Sequence, residues 1–565
     1  MRKVATTIFV LILSGVSAMA ATEAPKPADK PRTMEEVIDR VITNENRANQ
    51  QLKQFSPLVE TYIQNLKPDK DLGYAPAGDK YFLGRADFSK GVSLVSLTDT
   101  NGKGKKIFGS IGNFFSFALQ FVPDGFLQMI FIDTNGFDKQ HYKFDYVRRE
   151  FLGEVRCLVF DVTPQEKSGK GRFLGRIWVE DQDYNIVRFN GAYSGSGHTS
   201  WWFHFDSWRT NVQPGVWVPS FVYSEEKDVH YNLSKKLDFK AQTRLWGYNL
   251  GHASQEQELS KILVETPVQD ETKTANDLTP VQAQRSWDRQ AEDNVIDRLE
   301  RIGLIAPKGE VDKVLETVVN NLEVTNNIDI EPDVRCRVMT TTTLESYTVG
   351  HTVVLSRGLI DVLPDEASLA TIIAHELSHA ILGHRLDSSL AFFDQLLIED
   401  KETFRHFGFA RTPDEEKAAN AKAVQILNNS PYKNQLGNAG LFLTALTTRE
   451  KEIPNLISPH LGDRVPVIGE LRSSMPADAD GKKNPQMITA LPIGGRVKLD
   501  PWNDRLELIK SKPIGAVAER EKMPFEVTPF MPYLMRYGAE NTKPIAASAA
   551  QPATPGTSES APGKP

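Results

Sequence analysis

Cysteine is nearly missing from this 565-residue chain. Cys157 and Cys336 allow one bridge at most, which excludes a disulfide scaffold and a thiolate zinc site. Basic residues hold no excess: 66 Lys and Arg stand against 73 Asp and Glu, a formal charge of −7. That balance argues against a nucleic-acid partner, whose phosphate backbone needs clustered cations. Long apolar runs are also lacking, and a membrane-spanning helix needs about twenty such residues. The stretch from Ile107 to Ile132 comes nearest, but Asn113, Gln120 and the Pro123-Asp124-Gly125 turn interrupt it. Two packed elements are expected there, with peripheral lipid contact as the alternative. With 40% hydrophobic and 25% charged residues, the chain is neither collagen-like nor disordered. At roughly 150 residues per domain it has room for three or four domains.

The first twenty residues read as a cleaved export signal. Arg2 and Lys3 start it, Val4 to Val16 form its apolar core, and Ala18-Met19-Ala20 offers the cleavage site. No cysteine lies near that site for lipid attachment, so a periplasmic or secreted location without a transmembrane span is expected. Residues 21–33 form a Pro-containing linker, and a polar helical pattern runs from Met34 to about Leu66. From Lys80 to Leu250 short β-rich runs follow at close spacing, predicting an antiparallel sheet or partly open barrel. In texture this region resembles the half-open barrels of periplasmic LolA-type lipoprotein carriers. Residues 34–270 are expected as an N-terminal domain of one helix plus this sheet, and 275–475 as a mainly helical domain. The whole is then an α+β multidomain chain, with a C-terminal extension over 476–540 and a disordered Ala/Pro/Ser tail over 541–565. Were Cys157 and Cys336 to meet, their bridge would join two expected domains.

The chemistry concentrates after a strand pattern at Thr352-Val353-Val354-Leu355. Residues 364–384 predict a helix with one apolar stripe, Leu369, Ile373, Leu377 and Ile381. At about 100° per residue, His375 and His379 lie roughly opposite that stripe, one turn apart, where both imidazoles reach a single ion. Glu376 follows His375 and is placed to take a proton from a water in the open coordination position. This HExxH spacing is that of zinc peptidases.

The third ligand sets the class. The metzincin pattern fails, because Leu382 and Arg385 stand where it requires Gly and His. Extended along the helix, His384 lies about 180° from His375 and reads as a structural histidine near the helix end. Thr412-Pro413-Asp414-Glu415 predicts a capping box that opens another helix and uses Glu415, leaving Glu416 as the candidate ligand. Asn420 shares the face of Glu416, and Ala419 and Ala423 beside it permit close helix approach.

Glu416-x-x-Ala419-Asn420, 37 residues after His379, resembles the E-x-x-A-D element of peptidase family M48, which includes the HtpX, BepA and CAAX prenyl endopeptidase types. Val353 to Ile360, just upstream of Ala374-His375-Glu376-Leu377-Ser378-His379, is similar to that family's strand and Gly-Leu lead-in. The resemblance covers roughly residues 280–470. It implies one zinc ion held by His375, His379 and Glu416, Glu376 as general base, and a protein or peptide substrate. The substrate would be an envelope or misfolded protein. Asn420 stands where the family has Asp, which predicts a less basic histidine ligand if that position orients one. The strand Glu345 to His351, expected along the substrate groove, departs from the family pattern. Ser458-Pro459-His460-Leu461-Gly462-Asp463-Arg464 resembles the family's late His-Pro…Arg element. His460 is then a fourth, inhibitory ligand, an oxyanion stabiliser, or a loop histidine without a zinc role, and Arg464 accompanies it. The rival reading makes the β-rich region a binder of lipid, lipoprotein or unfolded outer-membrane protein, with a latent peptidase attached.

Overall fold

In a computed structural model, residues 31–69, 73–88, 93–97, 123–134, 136–169, 171–194, 203–232, 235–248, 280–384, 409, 411–457, 463–464, 471, 490–494, 497–499, 506–508, 525–529 and 532–538 are described. The leader, residues 107–122, the Trp201-Trp202 pair, residues 255–278, His460 and the tail lie outside them.

Helix α1 (Met34–Leu52) is capped by Thr33, whose side chain accepts from the Glu36 amide. It stops well short of the expected Leu66. Pro57 follows, and strand β1 (Leu58–Asp69) begins at once. Ten antiparallel strands then form one open sheet. They are β1, β2 (Gly73–Asp87), β3 (Ser93–Ser96), β4 (Tyr142–Leu152), β5 (Val155–Pro164), β6 (Phe173–Glu180), β7 (Ile186–Tyr193), β8 (Phe205–Gln213), β9 (Val216–Asn232) and β10 (Lys235–Trp246), in the order β3-β2-β1-β10-β9-β8-β7-β6-β5-β4. Among the described residues the outer strands β3 and β4 do not pair with each other, so the sheet they form is open.

Alternate residues of β1 enter different cores, as the period of two requires. Val59 and Ile63 pack with α1 and with the short helix α2 (Pro123–Leu127), which begins where a turn was expected. Pro123 suits a first helical position. Tyr62 points the other way, into the core shared with the C-terminal half. Both faces of this strand are therefore buried, and its run of seven buried residues from Leu58 to Gln64 follows from that.

The C-terminal half opens with α3 (Pro280–Ile302) and α4 (Glu310–Asn326), separated by the Ala306-Pro307-Lys308-Gly309 break. Strands β11 (Arg335–Met339), β12 (Glu345–Val349), β13 (Thr352–Ser356) and β14 (Asp463–Arg464) make a small sheet in the order β11-β13-β12-β14. Five helices complete it: α5 (Arg357–Val362), α6 (Glu366–Leu382), α7 (Pro413–Asn428), α8 (Leu436–Arg449) and α9 (Pro454–Ile457). Cys157 and Cys336 are both free and buried in one apolar cluster. Among the described residues, no helix is long and apolar enough to cross a membrane.

A buried polar network joins the halves. Glu60, on the side of β1 that faces the C-terminal half, accepts from the Thr342 amide and hydroxyl at 2.6 Å each. It also accepts from Arg244 and Tyr81 at 3.0 Å. Arg357 donates to the Thr342 hydroxyl at 2.8 Å. Gly358 is required here, since a Cβ would stand 1.8 Å from the Thr342 carbonyl oxygen. Burial, helped by Arg357, lowers the Arg244 guanidinium to about 10 against the pull of Glu60, so it remains charged at neutral pH. Glu60→Ala should therefore cost about 3–5 kcal/mol, because it strands that buried cation. Urea unfolding measures this, and a loss below about 1 kcal/mol would show that the network does not hold the halves together.

Candidate metal centre

Helix α6 is fixed at both ends by its sequence. Asp365 is the N-cap and accepts from the Ser368 amide at 2.8 Å, so the helix begins at Glu366, two residues later than the expected 364. Gly383 ends the helix with φ +68°, a left-handed conformation that favours glycine. The helix is buried nearly all round, not on one stripe: Ala370, Ile372, Ile373, Ala374 and Leu377 are fully enclosed, as are His375, Glu376 and His379.

His375 and His379 point into one space, with their Nε2 atoms 3.3 Å apart. Helix α7 brings the third group. Thr412 and Glu415 form the capping box, with the Thr412 amide donating to Glu415 at 3.0 Å and the Glu415 amide to the Thr412 hydroxyl at 3.4 Å. Ala419 and Ala423 are fully buried, which lets α7 pack closely on α6. Glu416 then lies with one carboxylate oxygen 3.3 Å from His375 Nε2 and the other 3.7 Å from His379 Nε2. Asn420 is buried one turn further along α7.

Both oxygens of Glu416 are buried and no hydrogen bond reaches them. An ionised carboxylate in that setting requires a cation. The ligand atoms of His375, His379 and Glu416 all lie within 4.8 Å of one another. Two imidazoles and one carboxylate suit zinc with an open fourth position, so the residues present fit that ion. Burial, with the neighbouring cations, holds His379 down to about 2, which keeps its ring neutral as a ligand must be.

Glu376 faces β12. The Thr348 hydroxyl lies 2.8 Å from Glu376 Oε2. Burial pushes this carboxyl above its usual range, against the opposing pull of His375 and of the Ser346 and Thr348 hydroxyls. Arg411, just before α7, donates to the Thr348 carbonyl oxygen at 2.7 Å, and Phe409 stacks on Tyr347 with ring centroids 4.4 Å apart. The strand carrying Thr348 begins three residues after Thr342, so the network that joins the halves also anchors the strand beside Glu376.

The C-terminal stretch from 307 to 432 matches the family model described as peptidase family M48. Over that stretch the chain is similar to the M48 peptidases. The match is narrower than the 280–470 resemblance expected from the sequence, and it contains both helices of the metal centre. No curated protein is a significant match to the whole chain. Among solved structures, an outer membrane lipoprotein-sorting protein domain from Vibrio parahaemolyticus aligns at 9% identity and a TM-score of 0.19. It covers 40% of this chain and 97% of its own. A DUF1329 family protein from Desulfovibrio piger aligns at 9% identity and TM-score 0.17, over 38% of this chain and 95% of its own. Likeness at that level carries no argument.

Of the residues singled out in the sequence, the fold brings together His375, Glu376, His379 and Glu416, and buries Asn420 one turn along α7 from Glu416. The backbone of Arg464 pairs with Glu345 at the start of β12, and His460 lies outside the described residues. The sequence did not single out Thr348 or Arg411 at the site, and it misplaced His384. Because the helix ends at Leu382, the 100° rule does not extend to His384: its amide donates to the His379 carbonyl oxygen at 3.0 Å, and the chain turns its ring back onto His379. Gly383 was the available signal. Stripping metal with a strong chelator should lower the melting temperature by roughly 5 °C or more, with recovery on adding zinc. An unchanged melting temperature would show that the cluster holds no ion.

Proposed function

We propose that this protein is an exported zinc-dependent endopeptidase that cleaves envelope or misfolded polypeptides. The observation that carries the reading is the Glu416 carboxylate, buried without a hydrogen bond against Nε2 of His375 and His379, with Glu376 beside them. His375, His379 and Glu416 would hold one zinc ion per chain, whose chemistry is to polarise a scissile carbonyl and acidify a bound water. Glu376 acts as the base. Its Oε2 is held by Thr348, and its raised proton affinity suits a group that takes a proton from water and delivers it to the leaving amine. Thr348 and Arg411 fix the strand from which that base is oriented. The Arg2-Lys3 start and the apolar core after it support export to the periplasm or beyond.

A lipid-binding reading of the large sheet would need an open apolar face. The central strand β1 is covered on both faces by this chain's own elements, so the buried His375, His379 and Glu416 cluster, and not the sheet, carries the first reading. Glu376→Gln should keep its zinc and lower cleavage of an unfolded protein such as casein by about 10²–10⁴-fold. Cleavage at the wild-type rate by that variant would remove Glu376 from the mechanism.

A further inference from the structure

We infer that His384 is a positioning residue for the metal centre, holding His379 in the tautomer that presents Nε2 to the ion. The inference rests on the zinc reading above and deepens it. Nδ1 of His384 lies 2.9 Å from Nδ1 of His379, and the two rings meet edge to face with centroids 5.0 Å apart. Nε2 of His379 is the nitrogen that faces His375 and Glu416. A neutral imidazole has one N–H and one lone pair. If Nε2 gives its lone pair to a metal, the proton must sit on Nδ1 and needs an acceptor, and the atom in reach is His384 Nδ1. His384 therefore carries its own proton on Nε2, so that its Nδ1 lone pair accepts.

The backbone builds this contact on purpose of shape alone. Gly383 at φ +68° reverses the chain directly after α6, and a Cβ added there would meet nothing within 4 Å, so the glycine serves conformation and not close packing. The His384 amide donates to the His379 carbonyl oxygen at 3.0 Å, which ties the two residues by backbone as well as by side chain. Partners of this kind fix ring orientation and raise the basicity of the ligating nitrogen.

The test is zinc affinity of the full chain, measured by competition with a chromophoric chelator for wild type, His384→Ala and His384→Asn. Asparagine can place a side-chain oxygen close to the position of the histidine Nδ1. His384→Ala should bind zinc about 10–100-fold more weakly, and His384→Asn should recover most of that loss. Unfolding of the metal-free forms accompanies the titration, and wild type and both variants should unfold alike. Zinc held equally well by wild type and His384→Ala would overturn this inference alone, as would an Asn variant no better than Ala. A wild-type chain that binds no zinc would overturn the zinc reading itself.

Discussion

A buried carboxylate with no hydrogen-bond donor is among the most unfavourable arrangements a protein can hold, at several kcal/mol for the uncompensated charge. Glu416 is in that position, and its oxygens face the imidazole nitrogens of two histidines one turn apart. A divalent cation resolves the conflict, and much of the local structure follows from bringing these groups together. The capping box at Thr412 fixes where α7 starts and hence where Glu416 points. Fully buried Ala419 and Ala423 set the distance between α7 and α6. The caps at Asp365 and Gly383 fix the length of the helix that carries both histidines.

The large sheet enters this picture through polar contacts as well as apolar ones. Glu60 and Gln64 both lie on the side of β1 that faces the C-terminal half. Glu60 grips Thr342, while Gln64 donates to the Phe525 carbonyl oxygen and accepts from the Val527 amide, in the manner of a strand partner. Lys240 pairs with the buried Glu526 alongside. These groups lose water on assembly and regain hydrogen bonds only when both halves are present, which makes the join specific in register. From Thr342 the chain runs directly into the strand whose Thr348 hydroxyl meets Glu376. The sheet thus supports the peptidase site by holding one wall of it.

The sequence was most legible where local rules act within a few residues. The two histidines on one helix face, the capping box and the small residues of α7 are all short-range patterns, and the structure shows each of these features. Two local extrapolations went astray for physical reasons. Polar residues at 60 and 64 keep helical spacing, so β1 reads as a continuation of α1. They are polar because they bond across the join between the halves, a fact no local window holds. His384 was placed by extending the helix one turn past the glycine that stops it. Strand order, the burial of both faces of β1, and the meeting of Thr348 with Glu376 depend on contacts far apart in the chain, beyond what periodicity can reveal.

The central claim is that His375, His379 and Glu416 form a metal site. The most direct measurement is zinc per chain by mass spectrometry or atomic absorption on the purified wild type and on Glu416→Gln, with no activity required. About one zinc on the wild type, lost or much weakened in the variant, is the predicted result. A wild-type chain that takes up no zinc when the ion is supplied would contradict it.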